Sequence, residues 1–217
     1  MTTAEHQALV RGAARVRWWP AALALLALGV AYALVSDRLT LGPPWLLLAF
    51  LLVVLVGLRV LRWQEMHHAR RWVALSMLGV VTVAVGVSAI FLVGALLRGR
   101  AQAGDLLRDA ALLWLANILT FALWYWETDG GGPAQRHMQG VCSSDFVFPQ
   151  TATGGQAAAD WRPDFLDYLF LAFNTSTAFS PTDTMVLARR AKVLMMLQSL
   201  ISLVTIAVLA ARAINTL

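Results

Sequence analysis

The stretch Asp164-Phe165-Leu166-Asp167-Tyr168-Leu169-Phe170-Leu171-Ala172-Phe173-Asn174-Thr175-Ser176-Thr177-Ala178-Phe179-Ser180-Pro181-Thr182-Asp183 decides how this chain folds. Its first part, Asp164 to Thr175, is apolar but only about 12 residues long, near 18 Å as a helix. That is too short for the roughly 30 Å of hydrocarbon in a bilayer. Pro163 precedes it, and Asp164 and Asp167 fall in its first turn, where carboxylates favour a helix start. The stretch then turns polar and hydroxyl-rich and is broken by Pro181. A long apolar segment follows, from about Ala188 to Ile214. A short helix, a polar extended segment and a full span predict a re-entrant loop, one that dips into the bilayer without crossing it. Non-helical backbone survives at that depth only where it is buried in protein or lines water. A water-lined loop points to a pore.

The rest of the chain supports a membrane setting. Of 217 residues, 59% are hydrophobic and 13% charged, against about a quarter charged in soluble domains. Too little polar surface remains to cover a water-soluble globule. Four further spans are expected: Trp19 to Ser36, Trp45 to Val60, Trp72 to Leu97, and Leu106 to Trp126. The first also resembles a signal peptide, with Arg11, Arg15 and Arg17 ahead of it, and is read as an uncleaved span. Gly42-Pro43-Pro44 separates the first two spans. Trp124-Tyr125-Trp126 closes the fourth at an interface that suits aromatic rings. The segments are then a basic N-terminal stretch (1–18), a four-helix region (19–126), a Gly/Pro-rich loop (127–163) and the re-entrant helix, filter-like loop and last span (164–217). Phe146-Val147-Phe148 is too apolar for a free linker and is expected to pack on the helices. The fold class is all-α: a multi-span membrane bundle of about five transmembrane helices plus one re-entrant, pore-like helix and loop.

The net charge of +5 sits in arginine clusters between apolar runs, the distribution of a membrane protein rather than a nucleic-acid binder. With a cytoplasmic N-terminus and five crossings, Arg11, Arg15, Arg17, Arg59, Arg62, Arg70, Arg71, Arg136, Arg162, Arg189, Arg190 and Lys192 lie inside. Arg38, Arg98, Arg100, Arg108 and Arg212 lie outside. This bias sets the expected location, a multi-pass protein of the cell membrane, and makes the re-entrant loop enter from the cytoplasm. Cys142 stands alone and the four histidines are scattered, so neither a disulfide framework nor a metal site is expected. The chain has no P-loop, dinucleotide fingerprint, nucleophile elbow or His-Glu-x-x-His. No catalytic residue and no cofactor are expected.

Asp167-Tyr168-Leu169-Phe170-Leu171-Ala172-Phe173, followed by Thr175, Thr177 and Asp183, resembles the pore helix and filter of potassium channels. The Asp167 to Asp183 spacing is the family's, and Lys192 falls where those channels often carry a lysine. The resemblance covers about 50 residues, Asp164 to Arg212. The whole chain also resembles an uncharacterised family of bacterial membrane proteins with an Ala-Phe-Ser-Pro-Thr-Asp signature. The potassium-channel resemblance implies a homo-oligomeric pore, tetrameric by analogy, that passes small inorganic ions through the bilayer. The chain departs from the channel pattern at the filter glycines. Their positions hold Ser180 and Thr182, and the filter tyrosine's holds Pro181. Inward-pointing carbonyls need glycine's backbone freedom, and proline fixes φ and lacks the N–H. Hydroxyls of Thr175, Thr177, Ser180 and Thr182 are therefore the expected lining, with Asp183 as a charged ring at the mouth of a symmetric oligomer, or else Arg189 and Arg190 neutralising Asp183 or attracting anions, so the sign of the ion stays open.

On the last span Gln198, Ser202 and Thr205 recur at i, i+4, i+7 and share a face. They either line a pore or hydrogen-bond neighbouring helices. Asn117, Thr120 and Trp124 share a face of the fourth span. Glu127 and Asp129 end it, read chiefly as an interfacial helix end. Two functions stand: a pore-loop ion channel with a non-standard filter from Thr177 to Asp183, or a non-conducting multi-span protein with a structural or partner-binding role.

Overall fold

A computed structural model describes residues 17–64, 66–98, 102–139, 144–152, 161–177 and 183–215. Eight α-helices are described: α1 (Trp19–Ala33), α2 (Trp45–Trp63), α3 (His67–Arg98), α4 (Ala103–Thr128), α5 (Pro133–Gln139), α6 (Pro149–Ala152), α7 (Phe165–Thr177) and α8 (Arg189–Asn215). Four of them, α2, α3, α4 and α8, are long and apolar enough to cross a membrane. With α1 at 15 residues, about 22 Å, the expected first span is shorter than its sequence implies. Its helix stops at Ala33, and the chain continues through a 3-10 turn at Asp37–Leu39 that buries Leu39.

Local chemistry sets these ends. Pro20 sits in the first turn of α1 and Pro44 immediately precedes α2, where a missing N–H is no loss. Helix α3 begins at His67, five residues before the expected Trp72, because His68, Arg70 and Arg71 continue a helix as readily as they leave lipid.

Helix α4 is the centre: 67% of its apolar window is buried, against 11% for α2. It packs against α1, α3, α7 and α8, while α2 lies outside on α1 and α3. Ala110, Ala116 and Ala122 are fully buried, so neighbouring helices approach α4 closely. Gly29 of α1 serves the same purpose against α2, since a Cβ there would lie 2.7 Å from Leu48 Cδ1 and 3.5 Å from Leu48 Cα.

Within the expected 127–163 loop the described residues form short helices and a strand. Helix α4 runs on to Thr128, and Gly130, Gly131 and Gly132 all take positive φ, a turn that side chains would strain. This reversal starts α5 and returns Arg136 towards Asp129. Phe146–Val147 (β1) then pairs antiparallel with Met185–Val186 (β2), a small ribbon in an otherwise helical fold. Phe146 and Phe148 are buried.

Two ends of the bundle are defined by contacts. At one, Ser36 N–H donates to Asp109 Oδ1 (3.1 Å), Arg38 pairs with Asp105 (3.1 Å), and Arg108 donates to Leu34 O. At the other meet the start of α1, the end of α2, the start of α3 and the end of α4.

Candidate functional site

The polar stripe of α8 lies inside the single chain. Gln198, Ser202 and Thr205 are each 1% exposed or less. Gln198 Oε1 accepts from Tyr125 OH (2.5 Å), and its Nε2 donates to Ala172 O (2.6 Å) and Ser176 Oγ (2.7 Å). Asn117 Nδ2 donates to the Gln198 carbonyl (3.1 Å). Ser202 Oγ donates to Ser176 O (2.5 Å), and Thr205 Oγ1 bonds back to Ser202 O and Ile201 O within α8. One glutamine thus joins α4, α7 and α8. Near the end of α7, Ser202 and Ser199 hydroxyls of α8 donate to the Ser176 and Thr175 carbonyls (2.5 and 3.5 Å).

The expected filter residues divide. Ser180, Pro181 and Thr182 lie outside the described residues. Thr175 Oγ1 donates to Leu171 O (2.8 Å) and Thr177 Oγ1 to Asn174 O (3.1 Å), so both hydroxyl protons are directed at α7's own backbone. Thr177 is the last helical residue of α7, two beyond the expected end. Asp183 is exposed. Arg190, expected to offer Asp183 a charge partner, instead forms a two-pronged pair with Asp145 (both 2.8 Å). That geometry satisfies both carboxylate oxygens at once.

A second cluster lies where α7 starts. Asp129 is fully buried, and its Oδ1 accepts from the backbone N–H of Asp145 (2.6 Å) and Phe146 (3.3 Å). Its Oδ2 accepts from Tyr168 OH (2.5 Å) and lies 4.0 Å from Arg136 Nε. Arg136 Nη1 donates to Trp126 O and Asp129 O (2.7 Å each), with its guanidinium over the Trp126 and Tyr168 rings at 4.8 and 4.9 Å. The Tyr168 hydroxyl is the donor in its bond to the Asp129 carboxylate. At the exposed start of α7, Asp164 N–H donates to Asp167 Oδ2 and Leu166 N–H to Asp164 Oδ1 (2.8 Å each). Burial raises the Asp167 carboxyl above its ordinary value, against the pull of the Asp164 N–H.

Asp129 is expected from sequence only as an interfacial helix end, Tyr168, Tyr125 and Arg136 only as a pore-helix residue, an interfacial aromatic and an inside charge, and Asp145 carries no expectation. The one usable signal was Gly130-Gly131-Gly132-Pro133 beside a carboxylate, which marks a tight reversal with an acceptor at its base. The face of Asn117, Thr120 and Trp124 also turns inward: Thr120 bonds Ala116 O, and Trp124 Nε1 donates to Thr82 Oγ1 (2.8 Å).

The depth of α7 follows from its contacts. Its first turn meets the end of α4, with Phe165 and Trp126 rings 5.9 Å apart. Its far end reaches mid-α4, with Phe173 and Trp114 rings 5.9 Å apart. Helix α8 then begins back at the first level, through Arg190 and Asp145. No family model, curated protein or solved structure matches the chain.

Proposed function

We propose that this chain is an integral membrane protein of five crossings, α1 to α4 and α8, with α7 as a re-entrant helix. In this reading the re-entrant unit is packed and non-conducting, and its role is structural or partner-binding. The observation that carries the reading is Gln198: 0% exposed, with both side-chain ends hydrogen-bonded to α4 and α7. A pore-lining side chain keeps contact with water, whereas this one is enclosed, with both amide N–H groups and one oxygen lone pair taken by protein partners. The re-entrant path is supported by the start of α7 and the start of α8 lying at the same end of α4. That end also carries Arg59, Arg62, Arg70 and Arg71, which makes it cytoplasmic by the distribution of arginines.

The ion-channel reading retains one specific support, the order long helix, short helix, long helix in α4, α7 and α8, with Asp183 exposed where the chain returns. Ion flux separates the two. Purified protein in liposomes, under potassium, sodium or chloride gradients, is expected to pass no ion above empty vesicles. Flux that changes selectivity in Asp183→Asn or Thr177→Val would refute the packed reading. A reporter fused after Leu217 is expected on the outer face; activity confined to the cytosol would sink the five-crossing topology.

A further inference from the structure

We infer that a cavity among the first four helices is a binding site for one anionic phospholipid of the cytoplasmic leaflet. The cavity holds about 480 Å³ between α1, α2, α3 and the end of α4, within the roughly 300–1,000 Å³ range of ligand sites. Its inner wall is apolar: Leu25, Leu55, Met77, Leu78 and Leu123. Its rim carries Arg59, Arg62, Arg70 and Arg71. Among the described lining residues a single carboxylate, Glu127, stands against these four arginines.

The contacts of Arg59, Arg70 and Arg71 leave N–H donors to spare at the rim. Arg70 Nη2 lies 3.7 Å from Glu127 Oε2, which is buried and has no hydrogen-bond partner. Arg71 Nη1 reaches Gln135 Oε1 only at 3.5 Å. Arg59 lies over the rings of Trp18 (4.8 Å) and Trp63 (5.3 Å), so stacking rather than a carboxylate holds its guanidinium at the rim. Like charges gathered around one opening repel, and a phosphate among them lowers that repulsion while taking N–H donors of Arg59, Arg70 and Arg71. The apolar wall behind the arginines matches an acyl chain. Headgroup and chain chemistry are thus arranged in the order in which a lipid presents them. Basic pockets between helices on the cytoplasmic side are where lipid phosphates bind. The site stands whether or not the re-entrant segment conducts.

The test uses full-length protein in a neutral detergent, titrated with dioleoyl phosphatidylglycerol, dioleoyl phosphatidylcholine or inorganic phosphate. Binding is read by native mass spectrometry and by the shift in unfolding temperature. Phosphatidylglycerol is expected to bind about tenfold more tightly than phosphatidylcholine, and phosphate alone to give no protection. Arg59→Gln and Arg71→Gln should each weaken phosphatidylglycerol about fivefold, while Arg38→Gln, at the opposite end, leaves it unchanged. Ala21→Phe keeps every arginine but narrows the apolar wall, and should weaken phosphatidylglycerol too. Comparison is made among variants whose lipid-free unfolding temperature matches wild type. Equal affinity for the two lipids overturns the proposal, as does unchanged phosphatidylglycerol binding in both arginine variants. Full protection by phosphate alone overturns it in favour of a simple anion site.

Discussion

Gln198→Leu is the perturbation that most directly probes the packed reading. The substitution keeps nearly the same volume, so it opens no large cavity. It removes three side-chain hydrogen bonds, to Tyr125, Ala172 and Ser176. Interhelical hydrogen bonds in membranes average roughly 0.6 kcal/mol each, so their loss comes to about 2 kcal/mol. Stranding the buried Tyr125 hydroxyl adds about 1–2 kcal/mol. The expected destabilisation is therefore about 3–4 kcal/mol. Tyr125→Phe alone removes one bond and should lose about 1–2 kcal/mol. In the double variant the Tyr125 hydroxyl is no longer there to be stranded, so it should lose less than the sum, with a coupling of about 1 kcal/mol. The assay is equilibrium unfolding in mixed micelles titrated with a denaturing detergent, followed by far-UV circular dichroism. If Gln198→Leu shifts stability by less than about 0.5 kcal/mol and the two changes add within that margin, the side chain is not joined to Tyr125. That is the behaviour of a glutamine already solvated by pore water, and it would return the channel reading to first place.

Asp129→Asn should destabilise by about 3–5 kcal/mol, because a neutral amide beside the buried Arg136 leaves that cation uncompensated and Tyr168 with a poorer acceptor. Limited proteolysis should then cut between Gly130 and Pro163 at least tenfold faster; an unchanged digestion rate would remove Asp129 from its organising role. Gly29→Leu should separate α1 from α2 and lower stability by about 1–3 kcal/mol, visible as a lower unfolding temperature. A variant as stable as wild type would mean that the two helices do not meet there.

Apolar run length made the long helices legible, and Pro43-Pro44 together with the arginine clusters marked the breaks between them. Helix ends were less legible for a physical reason. Hydropathy reports where a chain leaves lipid, whereas a helix stops only where its backbone hydrogen bonding stops. His67 to Arg71 lie beyond the apolar run yet remain helical. The short length of α7 was also legible, because about 12 apolar residues cannot span a bilayer whatever surrounds them.

The Gln198, Ser202 and Thr205 stripe marks the boundary of what sequence carries. A polar face on an apolar helix must avoid lipid, and protein and water satisfy that demand equally, so the pattern is the same for a pore lining and a packed seam. The choice depends on partners far along the chain: Gln198 meets Tyr125 73 positions away and Ser176 22 away. Asp129 is the same case, bonded to Asp145 and Tyr168 at separations of 16 and 39. Each of these residues looks ordinary alone and acquires its role only when α7 folds back against α4. Since both clusters hold α7, one at its start and one at its end, the short helix is fixed at two depths. A conducting loop of the potassium type needs its filter on a symmetry axis, so oligomer contacts would have to form around a helix already fixed within its own chain. Among the described residues, α7 offers such a contact the exposed face of Leu166, Phe170 and Phe173. It is apolar rather than hydroxylated, which suits lipid or another helix better than ions in water.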